Sequence, residues 1–397
     1  MKNRKKKIGL LPFILIAIVL GICCGLFFPR WLAQIFVTFN GLFSQFLNFV
    51  IPLLIFGLVA PAIANIGSKA GKMLLITVGI AYGATILSGF YAYAIADGFF
   101  PLMIEQYNFD SGTDNPNALS PFFTIGIPPI MGVMTALVFS FMVGLAVASQ
   151  PNSTLKKVLD DFQLVITKVI EKVIIPLLPL YIFGIFMDMS FNGTVFHILS
   201  VFAKIILIIF AAHILLLILQ YCIAGIITRK NPFKCLTTML PAYFTALGTQ
   251  SSAATIPVSL AQTLKNGVRK EVAEFVIPLC ATIHLSGSTM KIVMCAIALM
   301  LVQGQTYDFG MYAGFICMLG VTMVAAPGVP GGAIMAALAV LQSILGFDES
   351  MQALMIALYI AMDSFGTACN ITGDGAIALI MNKITGKKEI TTNEQQL

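Results

Sequence analysis

The chain has 397 residues, of which 58% are hydrophobic and only 10% charged, and its mean hydropathy is +0.95. A soluble domain carries about 25% charged residues, so the polar surface is too small to cover a globule in water, and soluble enzymes, secreted modules and disordered chains are excluded. The 23 Lys and Arg exceed the 17 Asp and Glu by six charges, but they sit in short loops between apolar runs, where they set membrane orientation and do not mark a nucleic-acid surface.

About 20 apolar residues suffice to cross a bilayer as a helix. Such runs occupy 8–29, 33–65, 73–99, 121–150, 160–190, 196–227, 270–303 and 351–382, and two more, 235–263 and 310–346, are interrupted by Gly, Pro and Ser. The basic start, Lys2 and Arg4 through Lys7, places the N-terminus in the cytoplasm. No convincing cleavage site follows, so the first helix reads as retained. Lys69 and Lys72, Lys156 and Lys157, and Arg229, Lys230 and Lys234 follow the second, fourth and sixth runs. Glu105, Asp110, Asp114 and Asp188 fill the intervening loops, with Arg30 the one exception. The first interrupted run is basic at both ends (Lys230 and Lys234, then Lys265, Arg269 and Lys270), whereas the second is acidic at both (Asp308, then Asp348 and Glu349). A single crossing would put such matched ends on opposite sides. Entry and return keeps every basic cluster inside, Lys383, Lys387 and Lys388 included. The charges therefore predict an all-α integral membrane protein with eight transmembrane helices and two re-entrant helical hairpins, one from each side, with both termini cytoplasmic. The eight cysteines are scattered, with no CxxC pair and no His/Cys cluster, so neither a disulfide framework nor a zinc site is expected.

Re-entrant backbone is tolerated at membrane depth only inside protein or beside a cavity. The two tips, Gly248-Thr249-Gln250-Ser251-Ser252-Ala253-Ala254-Thr255 and Pro327-Gly328-Val329-Pro330-Gly331-Gly332, offer main-chain N–H groups and half-helix ends suited to a small charged solute or a bare cation. In the last run, Asp363, Thr367, Asn370 and Asp374 fall within about 40° of one another at about 100° per residue. An acid inside a membrane costs about 2.5–3.5 kcal/mol on the mildest scale, and four aligned polar positions exceed what helix packing requires. The segment Ile283-His284-Leu285-Ser286-Gly287-Ser288-Thr289-Met290-Lys291 suggests a locally unwound stretch facing the same cavity. His284 is open between function and packing, supported by Lys291 seven positions later on the same face; His213 reads as packing and His197 as a helix end. An intramembrane aspartyl protease would place its acids on two facing helices, with a Gly-x-Gly-Asp loop; both acids here share one helix, and Ile371 stands where the first glycine belongs. The chain is read as a transporter, not an enzyme.

The serine-rich tip from Gln250 to Pro257, the Gly328-Val329-Pro330-Gly331 tip and the Asn370-Ile371-Thr372-Gly373-Asp374 run together resemble the dicarboxylate/amino acid:cation symporters, the glutamate-transporter or sodium:dicarboxylate symporter family, over about residues 8–385. The resemblance implies inverted repeats, a homotrimer in the lipid of the plasma membrane and an elevator mechanism. One transporter domain would span 1–390, with a static scaffold at 8–66 and 119–192, a moving part at 70–99 and 196–385, and a polar tail at 391–397. It implies that Asp363 binds a substrate ammonium and Asn370 its α-carboxylate, with Thr367, Gln250, Ser251, Ser252, Ser288 and Val329 around them. From the residues themselves, Gly328, Gly331 and Gly332 let the outer tip adopt backbone angles closed to other residues, so the outer hairpin is expected to gate the pocket. Relatives that select acidic substrates carry arginine where this chain has Gly366 or Gln250, so a small amino acid with an uncharged side chain is expected. A dicarboxylate carrier or a passive solute or anion channel remain the alternatives. The resemblance also implies a co-transported sodium ion. One family sodium site lacks its carboxylate, at Ser286, and much of its oxygen cage, at Val78, Ala81 and Tyr82; another keeps Asn370 and Asp374 but meets His284; a third would use carbonyls around Thr282 and the outer hairpin. A proton at His284, or the tethered ammonium of Lys291, could take over part of the coupling. No other cofactor is expected.

Overall fold

The computed structural model describes residues 10–68, 72–104, 119–150, 152–193, 195–326 and 331–386, and every regular element among them is helical. The first helices, α1 (Leu10–Phe27), α2 (Arg30–Ser68) and α3 (Lys72–Met103), follow the first three apolar runs. The fourth run is only half helical: α4 covers Val133–Ala148. Upstream of it, Pro121, Pro128 and Pro129 remove backbone donors and push the residues before them out of helical angles. Next come α5 (Thr154–Val169), a single π-helical turn at Ile170–Ile174, and α6 (Ile175–Phe191). The wide turn stands directly ahead of Pro176, whose ring cannot close an ordinary helical hydrogen bond.

The C-terminal half is built from paired and broken helices: α7 (Val195–Thr228), α8 (Pro232–Thr249), α9 (Ser252–Lys265), α10 (Lys270–Ile283), α11 (Ser286–Val302), α12 (Phe309–Val324), α13 (Gly332–Leu345), α14 (Glu349–Ala361) and α15 (Asp363–Ile384). Among the described residues, six stretches are long and apolar enough to cross a membrane, or seven if α14 and α15, bent by 62° at Met362, make one span. The last apolar run is thus sharply broken at the start of its polar stripe.

α1 lies along α6, and α2 packs on α4, α5 and α6. Close approach explains the glycines at these contacts: a Cβ on Gly21 would come within 2.6 Å of the Phe183 carbonyl oxygen. α15 is enclosed by α7, α8, α9, α10 and α11, while α3 covers α11 and α12. α8 and α9 form a hairpin whose open ends meet, since Asn266 Nδ2 donates to the Cys235 carbonyl at 3.0 Å and Lys230 Nζ to the Asn266 carbonyl at 2.6 Å. α12 and α13 pack on each other as the second pair. Outward-facing side chains are apolar, as on Leu207 and Ile226, whereas every residue of α11 is buried.

Candidate functional site

Four helix starts converge on one place. Ser252 begins α9, Ser286 begins α11, Gly332 begins α13 and Asp363 begins α15. Residues of each first turn (Ser252, Ser288, Ala333, and Asp363 with Thr367 one turn on) line a single narrow cavity of about 30 Å³, together with Gln250, Thr282, Leu285, Ala326, Tyr359 and Asn370. Each start leaves unpaired N–H groups and a positive dipole end. Local chemistry makes the breaks. Gln250 turns the chain with φ +52°, and Ser251 caps α9 by accepting from Ala254 N. Gly331 holds φ +75° ahead of α13.

Asp363 is buried and fully engaged. Its Oδ2 accepts the Gly331 N–H at 2.9 Å, and its Oδ1 lies 3.5 Å from Lys291 Nζ. The Lys291 side chain has no exposed surface, so it does not snorkel. Its ammonium donates to the Tyr359 carbonyl at 3.2 Å and sits 3.4 Å from the centroid of the Tyr359 ring. Ser288 Oγ accepts from Tyr359 Oη at 3.0 Å and from Asn370 Nδ2 at 3.1 Å. Asn370 Oδ1 in turn accepts the Gly287 N–H at 2.8 Å and the Ser288 N–H at 3.3 Å, which holds two of the free donors at the start of α11.

Deeper along α15, His284 Nδ1 and Asp374 Oδ1 are 2.9 Å apart with both side chains fully buried. The break between α10 and α11 is braced from outside the cavity. Gln220 Nε2 donates to Ser286 Oγ at 3.0 Å, Ser88 Oγ to the Ser286 carbonyl at 2.9 Å and His213 Nε2 to the Gly287 carbonyl at 3.1 Å. Three atoms in this region, Asp374 Oδ2, His284 Nε2 and Gln220 Oε1, have no protein partner among the described residues.

Of the residues named from the sequence, Gln250, Ser252, Thr282, Ser288, Asp363, Thr367 and Asn370 share the cavity. Ser251 acts as a helix cap beside it. His284 and Asp374 pair below it. Gly328 and Val329 lie outside the described residues. Two expectations need correction. His284 and Lys291 do not share a face: His284 ends α10 and Lys291 belongs to α11, so the break between them resets the helical phase. Gly332 does not need glycine's angles; of the two described tip glycines only Gly331 has positive φ. The unwound stretch sits at His284 and Leu285, just ahead of Gly287. Tyr82 directs its hydroxyl to the Cys317 carbonyl on α12, at 3.4 Å, and not to the Ser286 segment. Tyr359 and Gln220 escaped notice in the sequence; the i, i+4 spacing of Tyr359 from Asp363 was the available signal for the first.

Gly331 gives a direct test. A β-branched residue in the left-handed region is strained by about 1–3 kcal/mol, and the strain here falls on the N–H that Asp363 accepts. Gly331→Val is expected to lower transport at least tenfold while the detergent-solubilised protein elutes as wild type. Normal uptake by this variant would remove the tip from any gating role.

A family model described as the sodium:dicarboxylate symporter family matches residues 10–384. Among curated proteins, the chain is 27% identical to a serine/threonine transporter, SstT, of Acinetobacter baylyi over 388 residues, covering 93% of this chain and 95% of the relative. It is 28% identical to the protein of the same name from Streptococcus agalactiae over 403 residues, covering 96% and 98%. An Acinetobacter baumannii relative of that name is 28% identical over 391 residues, covering 93% and 95%.

Proposed function

The chain belongs to the sodium:dicarboxylate symporter family, and from that premise we propose that it is a sodium-coupled carrier of a small amino acid with an uncharged side chain, serine and threonine foremost. The observation that carries this reading is the charge pattern of the cavity. One carboxylate, Asp363, stands among four converging helix N-termini, one of them its own, each worth roughly half a positive charge. That is the complement of a zwitterion: an ammonium against Asp363, and a carboxylate toward Asn370 and the free N–H groups. Position 366, where relatives selecting acids hold arginine, is glycine. The nearest buried cation, Lys291, is not among the lining residues, and its ammonium rests on the Tyr359 carbonyl and ring. Nothing among the described lining residues is therefore left for a second substrate carboxylate. The names of the relatives agree with a hydroxyl-bearing amino acid as substrate.

The remaining assignments follow from the same premise. Sodium, as co-substrate, would be held by oxygens of Asn370 and Asp374 with carbonyls near Thr282, and His284 would orient the Asp374 carboxylate. The runs 8–66 and 119–192 would form the scaffold, and 70–99 with 196–385 the moving part of an elevator with eight spans and two re-entrant hairpins. In support, α1, α2, α4, α5 and α6 pack mainly among themselves. Glu349, at the start of α14, meets the scaffold through contacts of its carboxylate to Asn48 at 3.4 Å and Gln45 at 3.5 Å and of its carbonyl to the Tyr181 hydroxyl at 3.3 Å. A homotrimer in the plasma membrane with both termini in the cytoplasm completes the reading.

Competition uptake in proteoliposomes under an inward sodium gradient tests it. Unlabelled serine, threonine or alanine at tenfold excess is expected to reduce labelled serine uptake by about 90%, with glutamate, aspartate and succinate leaving it nearly unchanged. Preference for the acids would overturn the substrate class. Failure to concentrate serine against its own gradient would replace the carrier by a channel.

A further inference from the structure

Asp363 is satisfied twice over by the protein itself, once by the Gly331 N–H and once by the Lys291 ammonium. A substrate ammonium bound at Asp363 and Lys291 at 3.5 Å from Oδ1 are therefore alternatives for one carboxylate oxygen. A carrier must carry its site across the membrane both loaded and unloaded, and a buried carboxylate without a counter-charge is costly in either passage. We propose that Lys291 is a tethered counter-cation, which takes the place of the substrate ammonium on Asp363 and lets the unloaded carrier close and return. The proposal rests on the carrier reading given above.

Three features fit this exchange. The Lys291 ammonium has a second resting place that it already touches, the carbonyl and ring face of Tyr359, so it can yield Oδ1 to a substrate without losing its proton. Gly366 supplies the room: a Cβ at that position would lie 3.0 Å from Lys291 Nζ. The Gly331 N–H closes on the other oxygen of the same carboxylate, so the outer hairpin can seat on an Asp363 that Lys291 alone has neutralised.

The experiment uses the full chain in proteoliposomes with labelled serine, and compares net uptake into vesicles filled with N-methyl-D-glucamine buffer against exchange into vesicles preloaded with unlabelled serine. In Lys291→Met, net uptake is expected to fall at least tenfold, with exchange persisting at half the wild-type rate or better, because exchange never requires the unloaded return. Methylammonium or potassium inside the vesicles should restore net uptake by the variant at least threefold. Wild-type net uptake should proceed in N-methyl-D-glucamine buffer and gain less than twofold from either cation, a measurement that needs no variant and decides the matter even if Lys291→Met fails to assemble. Parallel loss of both modes, no change in either, or a wild type that requires potassium inside would overturn the proposal. A wild type that moves serine in neither mode would instead remove the carrier reading on which it rests.

Discussion

Replacing Asp363 by asparagine is expected to abolish transport and to weaken binding of a neutral amino acid at least a hundredfold, about 2.7 kcal/mol. The side chain keeps its shape and can still accept the Gly331 N–H, so the loss isolates the charge. Two cations depend on that charge in alternation, the substrate ammonium and Lys291, and neither has another carboxylate nearby among the described residues. Breaking one half of a buried ion pair strands the other at about 3–5 kcal/mol, so thermal stability should fall as well. Titration calorimetry on the purified variant provides the check, with wild-type affinity for serine as the result that would exclude Asp363 from the ammonium site.

The second large effect is expected at Asp374. Asp374→Asn retains an acceptor for His284 Nδ1, 2.9 Å away, while removing the negative charge proposed to hold sodium. Concentrative uptake should fall at least tenfold and lose its dependence on external sodium. His284→Asn is the companion variant, because the resemblance puts asparagine there; it should keep sodium-dependent, pH-independent uptake within about threefold of wild type. If uptake in sodium-free buffer instead follows an inward pH gradient, and His284→Asn abolishes it, then a proton bound at this pair, and not sodium, drives the carrier.

Much of this site could be read from the chain because intramembrane polarity is expensive and therefore informative. Asp363, Thr367 and Asn370 stood out on an apolar background, and all three reach the cavity. The charge symmetry around 235–263 indicated a hairpin, and the contacts between Cys235, Asn266 and Lys230 close one. What periodicity could not reveal is where a helix stops. A uniform 100° step holds from Asp363 to Asp374 within α15, but not from His284 to Lys291, where the chain breaks at His284 and Leu285, and it gives no sign of the bend at Met362. Neither break has a proline at the break point itself; long-range partners meet both, Gly331 and Lys291 at Asp363 for the bend at Met362 and Asn370, Gln220 and His213 at Ser286 and Gly287 for the break ahead of α11. The partial helix at 133–148 was, by contrast, foreseeable, since Pro128-Pro129 lies within the run read as continuous.

The full enclosure of α11 also has a consequence for how the protein is made. The stretch Lys270–Val302 is apolar enough to span a membrane, yet every residue of its second half, α11, is buried inside the protein, and Lys291 finds the carbonyl it bonds only 68 residues further along the chain. During synthesis this lysine must enter the bilayer before Tyr359 and Asp363 have been translated, at a cost of about 2.5–3.5 kcal/mol on insertion scales. Sealing of the core is thus a late, post-insertion event that waits for the final helix. Ribosomal release before α15 would leave an uncompensated charge facing lipid, a form that membrane quality control can recognise by that charge.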